Sequence, residues 1–258
     1  MQNEQRDSMR EFCARRCQRY QTTARVLLRG GAAPSLSLIS SLTEPSRQLV
    51  LAEYAAVLNE LPSVVMAAIN GALRPQRWLA SVITPLLPIA PHHDGDYPCP
   101  SPSNLSFGPQ EAEAISWKIA AFVYEPSAAM AAIDEHLIGD SRLRRRMRVA
   151  VGHFVSQAST RARGNREVVG ALADVGALTV RVPLQCFAVN GGSGQHRLLG
   201  VREVVHRARL DEAAQHGVEG VEKGFNEHLG NDDCEFSGWE QLGYLDNERH
   251  QFVPLGID

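Results

Sequence analysis

Residues 141–158 read SRLRRRMRVAVGHFVSQA, and this stretch decides the fold class. Leu143, Met147, Val151, Phe154, Val155 and Ala158 recur at three- and four-residue intervals, the spacing of one face of an α-helix. Asp140 or Ser141 stands where an N-cap belongs, since a short side-chain oxygen there accepts from the unpaired N–H groups of the first turn. The stripe predicts that Arg142, Arg144, Arg145, Arg146 and Arg148 lie on the exposed sides.

Working outward, helical patterning dominates. Towards the N-terminus it predicts helices at 109–123 and 126–138, the second with Pro126 in its first turn. Residues 8–29 read as a basic helix stopped by Gly30-Gly31. Thr43 and Pro45 open another, carried by Leu49, Val50, Tyr54, Val57, Leu58 and Leu61. Segments 62–73 and 76–87 are apolar nearly all round, and each begins near a proline. Pro88, Pro91, Pro98, Pro100 and Pro102, with Gly95, make 88–108 an irregular connector or arm.

Towards the C-terminus a shorter helix is expected at 165–175, and only then a strand signal. Leu178, Val180, Val182 and Leu184 alternate and lead into 186–189, with Pro183 forcing an edge or bulge. The turn Asn190-Gly191-Gly192-Ser193-Gly194 predicts a hairpin to a second strand at 198–205. Helix returns at 209–229, and residues 230–258 read as irregular. The expectation is a mainly α (α+β) chain with a small antiparallel β-hairpin element in its C-terminal half. It divides into a helical part at 1–87, the connector at 88–108, and 109–258 with an acidic end.

The formal charge of −3 hides two opposed blocks. Residues 140–209 hold thirteen arginines against Asp140, Glu167, Asp174 and Glu203, whereas 210–258 hold twelve acids against Lys223 and Arg249. Such blocks fit either self-complementary packing or a face for an anionic partner. The 26 cationic side chains are all arginine except Lys118 and Lys223. Guanidinium forks suit phosphate and carboxylate, but GC-rich coding produces the same bias, so composition alone does not establish phosphate binding.

Cys13, Cys17, Cys99, Cys186 and Cys234 are odd in number and scattered, a poor disulfide framework. A reducing, cytoplasmic or intracellular setting is therefore expected, a virion being the other option. The polar N-terminus lacks the apolar core of a secretory signal. The apolar run 64–73, broken by Asn70 and Gly71, is too short to span a bilayer, so no membrane span is expected.

The arginines at 142, 144, 145, 146, 148, 161, 163 and 166 form the strongest candidate site: Arg142, Arg144, Arg145, Arg146 and Arg148 on the helix, Arg161, Arg163 and Arg166 beyond it. A track of guanidinium groups neutralises successive phosphates and binds with strong salt dependence. Pairing with the acidic segment, or with acids of another subunit, uses the same residues and is the favoured reading. His92-His93-Asp94-Gly95-Asp96 with Cys99 offers metal-ligand types, as do Cys13 and Cys17, but adjacent imidazoles do not readily converge on one ion. No metal or other cofactor is expected.

In Gly191-Gly192-Ser193-Gly194-Gln195-His196-Arg197-Leu198-Leu199-Gly200 a glycine-rich turn admits close backbone approach, with His196 and Arg197 placed to grip an anion. The string resembles the Gly-x-His-Arg box of the ParB and sulfiredoxin-like family. That resemblance covers residues 191–200 and implies a nucleotide-phosphate site beside a helix, with Ser193 standing where relatives often carry an acid. Catalytic ingredients lack an arrangement. Asp134, Glu135 and His136 adjoin on a helix and point apart, and Cys234 lies between Asp233 and Glu235, which disfavour its thiolate. No nucleophile elbow, P-loop or metalloprotease helix occurs.

The sequence thus favours a non-enzymatic assembly or interaction subunit, a homo-oligomer or part of a larger complex such as a viral particle, setting its Arg-rich surface against acidic partners. A nucleic-acid or nucleotide-binding module using the Arg cluster, His196 and Arg197 is the first alternative. An effector-type enzyme is the second.

Overall fold

The computed structural model describes residues 2–35, 40–87, 109–160, 171–175, 178–182, 184–191, 195–224, 234, 236–246, 249 and 251–257. The chain is mainly helical, with a small antiparallel sheet in its C-terminal half. The helices given in full by the described residues are α1 (Gln2–Arg29), α2 (Glu44–Ile83), α3 (Pro109–Ala120), α4 (Pro126–His136), α5 (Arg142–Thr160) and α6 (Val201–His216). The strands are β1 (Ala171–Val175), β2 (Leu178–Val182), β3 (Gln185–Gly191), β4 (Gln195–Gly200), β5 (Leu242–Asp246) and β6 (Gln251–Pro254).

α2 is the axis of the molecule. The sequence predicts breaks near Pro62 and Pro75, yet both prolines lie inside one 40-residue helix. Its Leu58, Leu61, Val65, Ile69 and Leu73 are fully buried, and α1, α3, α4, α5 and α6 all pack against it. By length and composition Glu44–Leu86 also meets the requirement for crossing a bilayer, and 39% of its most apolar stretch is buried inside the protein. One apolar core runs from Leu28 on α1 to Ile257, so the expected 1–87 and 109–258 parts share it. The 88–108 connector lies outside the described residues.

A recurring device holds the helices together. The last carbonyls of an α-helix have no partner within it, and donors from neighbouring helices take them here. Arg144 on α5 donates through Nη2 to the carbonyl of Arg29, the last residue of α1 (3.1 Å). Arg148 donates to the carbonyls of Leu137 (3.2 Å) and Gly139 (3.5 Å) just beyond α4. At the end of α5, Gln76 Nε2 reaches the Ser159 carbonyl (2.7 Å) and Trp117 Nε1 that of Ala158 (3.0 Å). Cationic donors also complement the negative end of the helix dipole.

The turns after α1 and α4 meet backbone to backbone. Gly31 and Gly139 have φ of 91° and 98°, and a Cβ on either would fall 2.7 Å from the other's Cα. Two salt bridges complete the docking of α1 on α2: Arg25 to Glu53 (2.6 Å) and Arg29 to Glu60 through two bonds of 2.7 and 2.6 Å.

The sheet has the order β4-β3-β5-β6, all antiparallel, and β1 and β2 form a separate two-stranded ladder. The hairpin expected across Asn190–Gly194 is present as β3–β4. Its second strand starts at Gln195 and ends at Gly200, where α6 begins and Glu203 accepts from the Gly200 N–H (3.0 Å). Helix therefore replaces strand from 201 onward.

Three further expectations change. Residues 171–175 are β1 rather than the end of a helix, because β2 supplies a ladder for them. α6 stops at His216 with Gly217 in the left-handed region (φ 65°), short of the expected 229. The C-terminal segment contains β5 and β6, which complete the sheet on β3.

Candidate functional site

The arginines of α5 do not form one solvent-facing track. Arg142 and Arg145 are exposed, Arg148 is half-buried, and Arg144 and Arg146 are buried. The expected exposure of the last two fails because their guanidinium groups have acceptors inside the molecule, which the apolar stripe does not reveal. Arg145 turns back to the Asp140 carbonyl (2.8 Å), and Arg148 pairs with Asp134 (2.5 Å). Arg161, Arg163 and Arg166 lie outside the described residues, as do His92, His93, Asp94, Asp96 and Cys99. Among the described residues no group of three or more metal-ligating side chains converges.

Arg146 is where the basic helix meets the acidic C-terminal region. Its guanidinium lies 4.3 Å from the centroid of the Trp239 ring and 3.4 Å from Asp211 on α6. Asp211 also accepts from Trp239 Nε1 (2.6 Å) and pairs with Arg207 (2.8 Å), whose guanidinium covers Phe236. Phe236 and Trp239 meet edge to face at 5.1 Å. This clamp fastens residues 236–239 to the helices. Burial lowers the pKa of Arg146, the nearby Arg142 charge lowers it further, and Asp211 and Glu212 oppose both.

A second buried polar group lies alongside. Tyr54 on α2 donates to Glu212 Oε1, and His216 Nε2 lies 3.2 Å from the same oxygen. Burial, then the bond to Glu212, raises the Tyr54 pKa well above the usual phenol range. Tyr54, Arg209, Glu212 and His216 were not singled out as site residues in the sequence. Each lies within a helical pattern that reads as core or charged face, and their meeting depends on how α2 and α6 pack.

His196 and Arg197 lie on β4. The His196 ring stacks on Phe252 of β6 at 5.5 Å, and Arg197 is exposed. They are on the sheet, apart from the α5 arginines that pair with Asp134, Asp140 and Asp211. His153 on α5 joins helix to sheet through the Cys186 carbonyl (2.9 Å) and the ring of Tyr244 (4.8 Å).

The outer surface carries large apolar side chains. Met9, Phe12, Tyr20 and Leu27 are exposed on α1 and fall within about a quarter of its circumference. Leu28, about 80° further round from Tyr20, is buried in the core. Trp78 and Val82 on the last turns of α2, and Leu86 in the 3-10 turn that follows, recur at four-residue spacing, with Trp78 66% exposed. Phe122, just after α3, is 90% exposed. No family model, curated protein or solved structure matches the chain.

Proposed function

We propose that this chain is a non-enzymatic assembly subunit that associates with further copies of itself, α1 supplying the principal contact. The observation that carries this reading is the exposed stripe of Met9, Phe12, Tyr20 and Leu27 on a helix attached to the core by its last turns. Exposed apolar side chains gathered on one helix face mark an interaction site. Arg16, which donates to the Tyr20 hydroxyl (3.3 Å), lies within the stripe, and Arg15 and Arg19 flank it; all three are exposed. They give it a basic rim that suits the acidic residues 210–258 of a second copy. On this reading the α5 arginines act mainly within each subunit, and Arg142 and Arg145 add to the outer rim. A reducing compartment or an assembled particle is the setting proposed.

The exposed arginines of α1 beside Phe12 and Tyr20 also favour a second reading, binding of nucleic acid, since that pairing of cation and ring suits a strand and its bases. Sedimentation of the wild-type chain and of Phe12→Asp with Tyr20→Asp separates the two. Self-association abolished by the substitutions supports assembly. A monomer that co-purifies with nucleic acid overturns it.

A further inference from the structure

We infer that α1 pairs with α1 of a second copy, antiparallel and about a two-fold axis level with residue 18. The inference rests on the assembly reading and names the surface that the stripe meets. Met9, Arg16, Tyr20, Thr23 and Leu27 follow one another at intervals of seven, four, three and four residues, the 3.5-residue period of a coiled-coil seam. All five are exposed. Leu28, which docks α1 in the core, lies about 100° round from Met9 and Leu27, so the seam stays open.

The seam is complementary to its own reverse. In an antiparallel pair centred on position 18, residues equally far from it on either side oppose one another. Met9 then meets Leu27 of the second copy, and Arg16 meets its Tyr20. Phe12 and Val26, exposed on one flank of the seam, fall beside each other across the pair. Met9, Phe12, Tyr20, Val26 and Leu27, each more than half exposed in the single chain, are thus all covered by one contact.

Arg16 decides the orientation. Parallel helices would set it against its own copy inside the seam, like charge against like. Antiparallel helices set it on an aromatic ring instead. Its guanidinium already lies 5.8 Å from the centroid of the Tyr20 ring of its own helix, with Nε donating to that hydroxyl (3.3 Å). In the pair it lies between two such rings, a cation–π arrangement. Thr23 enters the seam with its hydroxyl donated to the Arg19 carbonyl (3.0 Å). The two Arg19 side chains come together at the axis, and with Arg15 they make the basic rim that the acidic segment covers. Because both copies use the same patch, the contact closes a dimer.

The test is a charge exchange followed by solution mass. Met9→Asp and Leu27→Lys each set a charge against an apolar side chain at two layers of the pair, and each should weaken self-association roughly tenfold or more. Combined in one chain, they place carboxylate opposite ammonium at both layers when the helices run antiparallel, and association should return. Parallel helices would bring like charges together, and the double variant would stay dissociated. Both positions are exposed, so far-ultraviolet circular dichroism should show an unchanged fold. A wild-type chain that associates, with the single and double variants all dissociated, would overturn the antiparallel pair and leave the assembly reading standing. Single variants that associate as the wild type does would overturn the seam as the contact. A wild-type chain that is monomeric at every concentration would overturn both readings and assign the stripe to a different partner.

Discussion

Arg209 Nε lies 2.7 Å from the carbonyl oxygen of Leu58, the carbonyl that Pro62, four residues on, leaves without its helical donor. The guanidinium is fully buried and also bonds Asn59 Oδ1 (2.8 Å) and, at 3.5 Å, the Lys223 carbonyl. Burial brings its pKa down to about 10, which leaves it cationic at neutral pH. A side chain from α6 thus restores what proline removes from α2. Arg209→Met should cost about 2–4 kcal/mol by denaturant unfolding, because several acceptors lose their donor together. In a Pro62→Ala background the cost should fall by about 1 kcal/mol, since the new N–H at position 62 can serve Leu58. An unchanged cost would disconnect Arg209 from the proline.

Gly31 and Gly139 touch through their backbones, and both need positive φ. Gly31→Ala or Gly139→Ala should each destabilise by about 2 kcal/mol or more. The double variant should cost less than the two together, because once either loop withdraws the other gains room. Full additivity would mean that the loops do not depend on each other.

Asp211 serves Arg146, Arg207 and Trp239 at once. Asp211→Asn removes the charge with little change of shape. A loss of about 2–3 kcal/mol is expected, with an altered near-ultraviolet dichroism signal from Trp239. The loss should persist in high salt, because the Arg146 side chain is shielded from solvent. Recovery of the difference by salt alone would place the interaction at the surface.

Glu60 supplies a pH prediction. Its hydrogen bond to Arg29, more than the accompanying charge attraction, holds its pKa below the ordinary 4.5. The folded value is therefore lower than the unfolded one. The stabilisation is complete above pH 4.5 and is lost as pH falls through the depressed folded value. Glu60→Gln should be less stable at neutral pH and show a shallower acid limb in stability measured between neutrality and pH ~3. Parallel acid limbs would contradict the coupling.

Much of the fold was legible from local pattern. The stripe from Leu143 to Ala158 is a helical period, and Asn190–Gly194 can hardly be anything but a turn. The continuity of α2 was not legible, because the donor that replaces the Pro62 N–H is 151 residues away in sequence. β1 was misread for a related reason. Residues 171–175 are small and weakly patterned, and only their pairing with β2 makes them a strand. The arginines of α5 were legible as a cluster, not as a device. Whether Arg144 and Arg146 face water depends on the end of α1 and on Asp211, which their own helix does not encode. In the sequence His136 reads as one of three adjacent polar residues; only the meeting of four helices brings it round one cleft with Arg29, Glu60 and Arg144.

The most direct test of the assembly reading is solution mass by light scattering at low and high salt, with the ratio of absorbance at 260 and 280 nm recorded on the same sample. The prediction is a defined oligomer free of nucleic acid that persists, weakened, in high salt and becomes a folded monomer with Phe12→Asp and Tyr20→Asp. A wild-type chain that is monomeric at every concentration, or that carries nucleic acid until salt removes it, would contradict the claim that α1 builds an assembly.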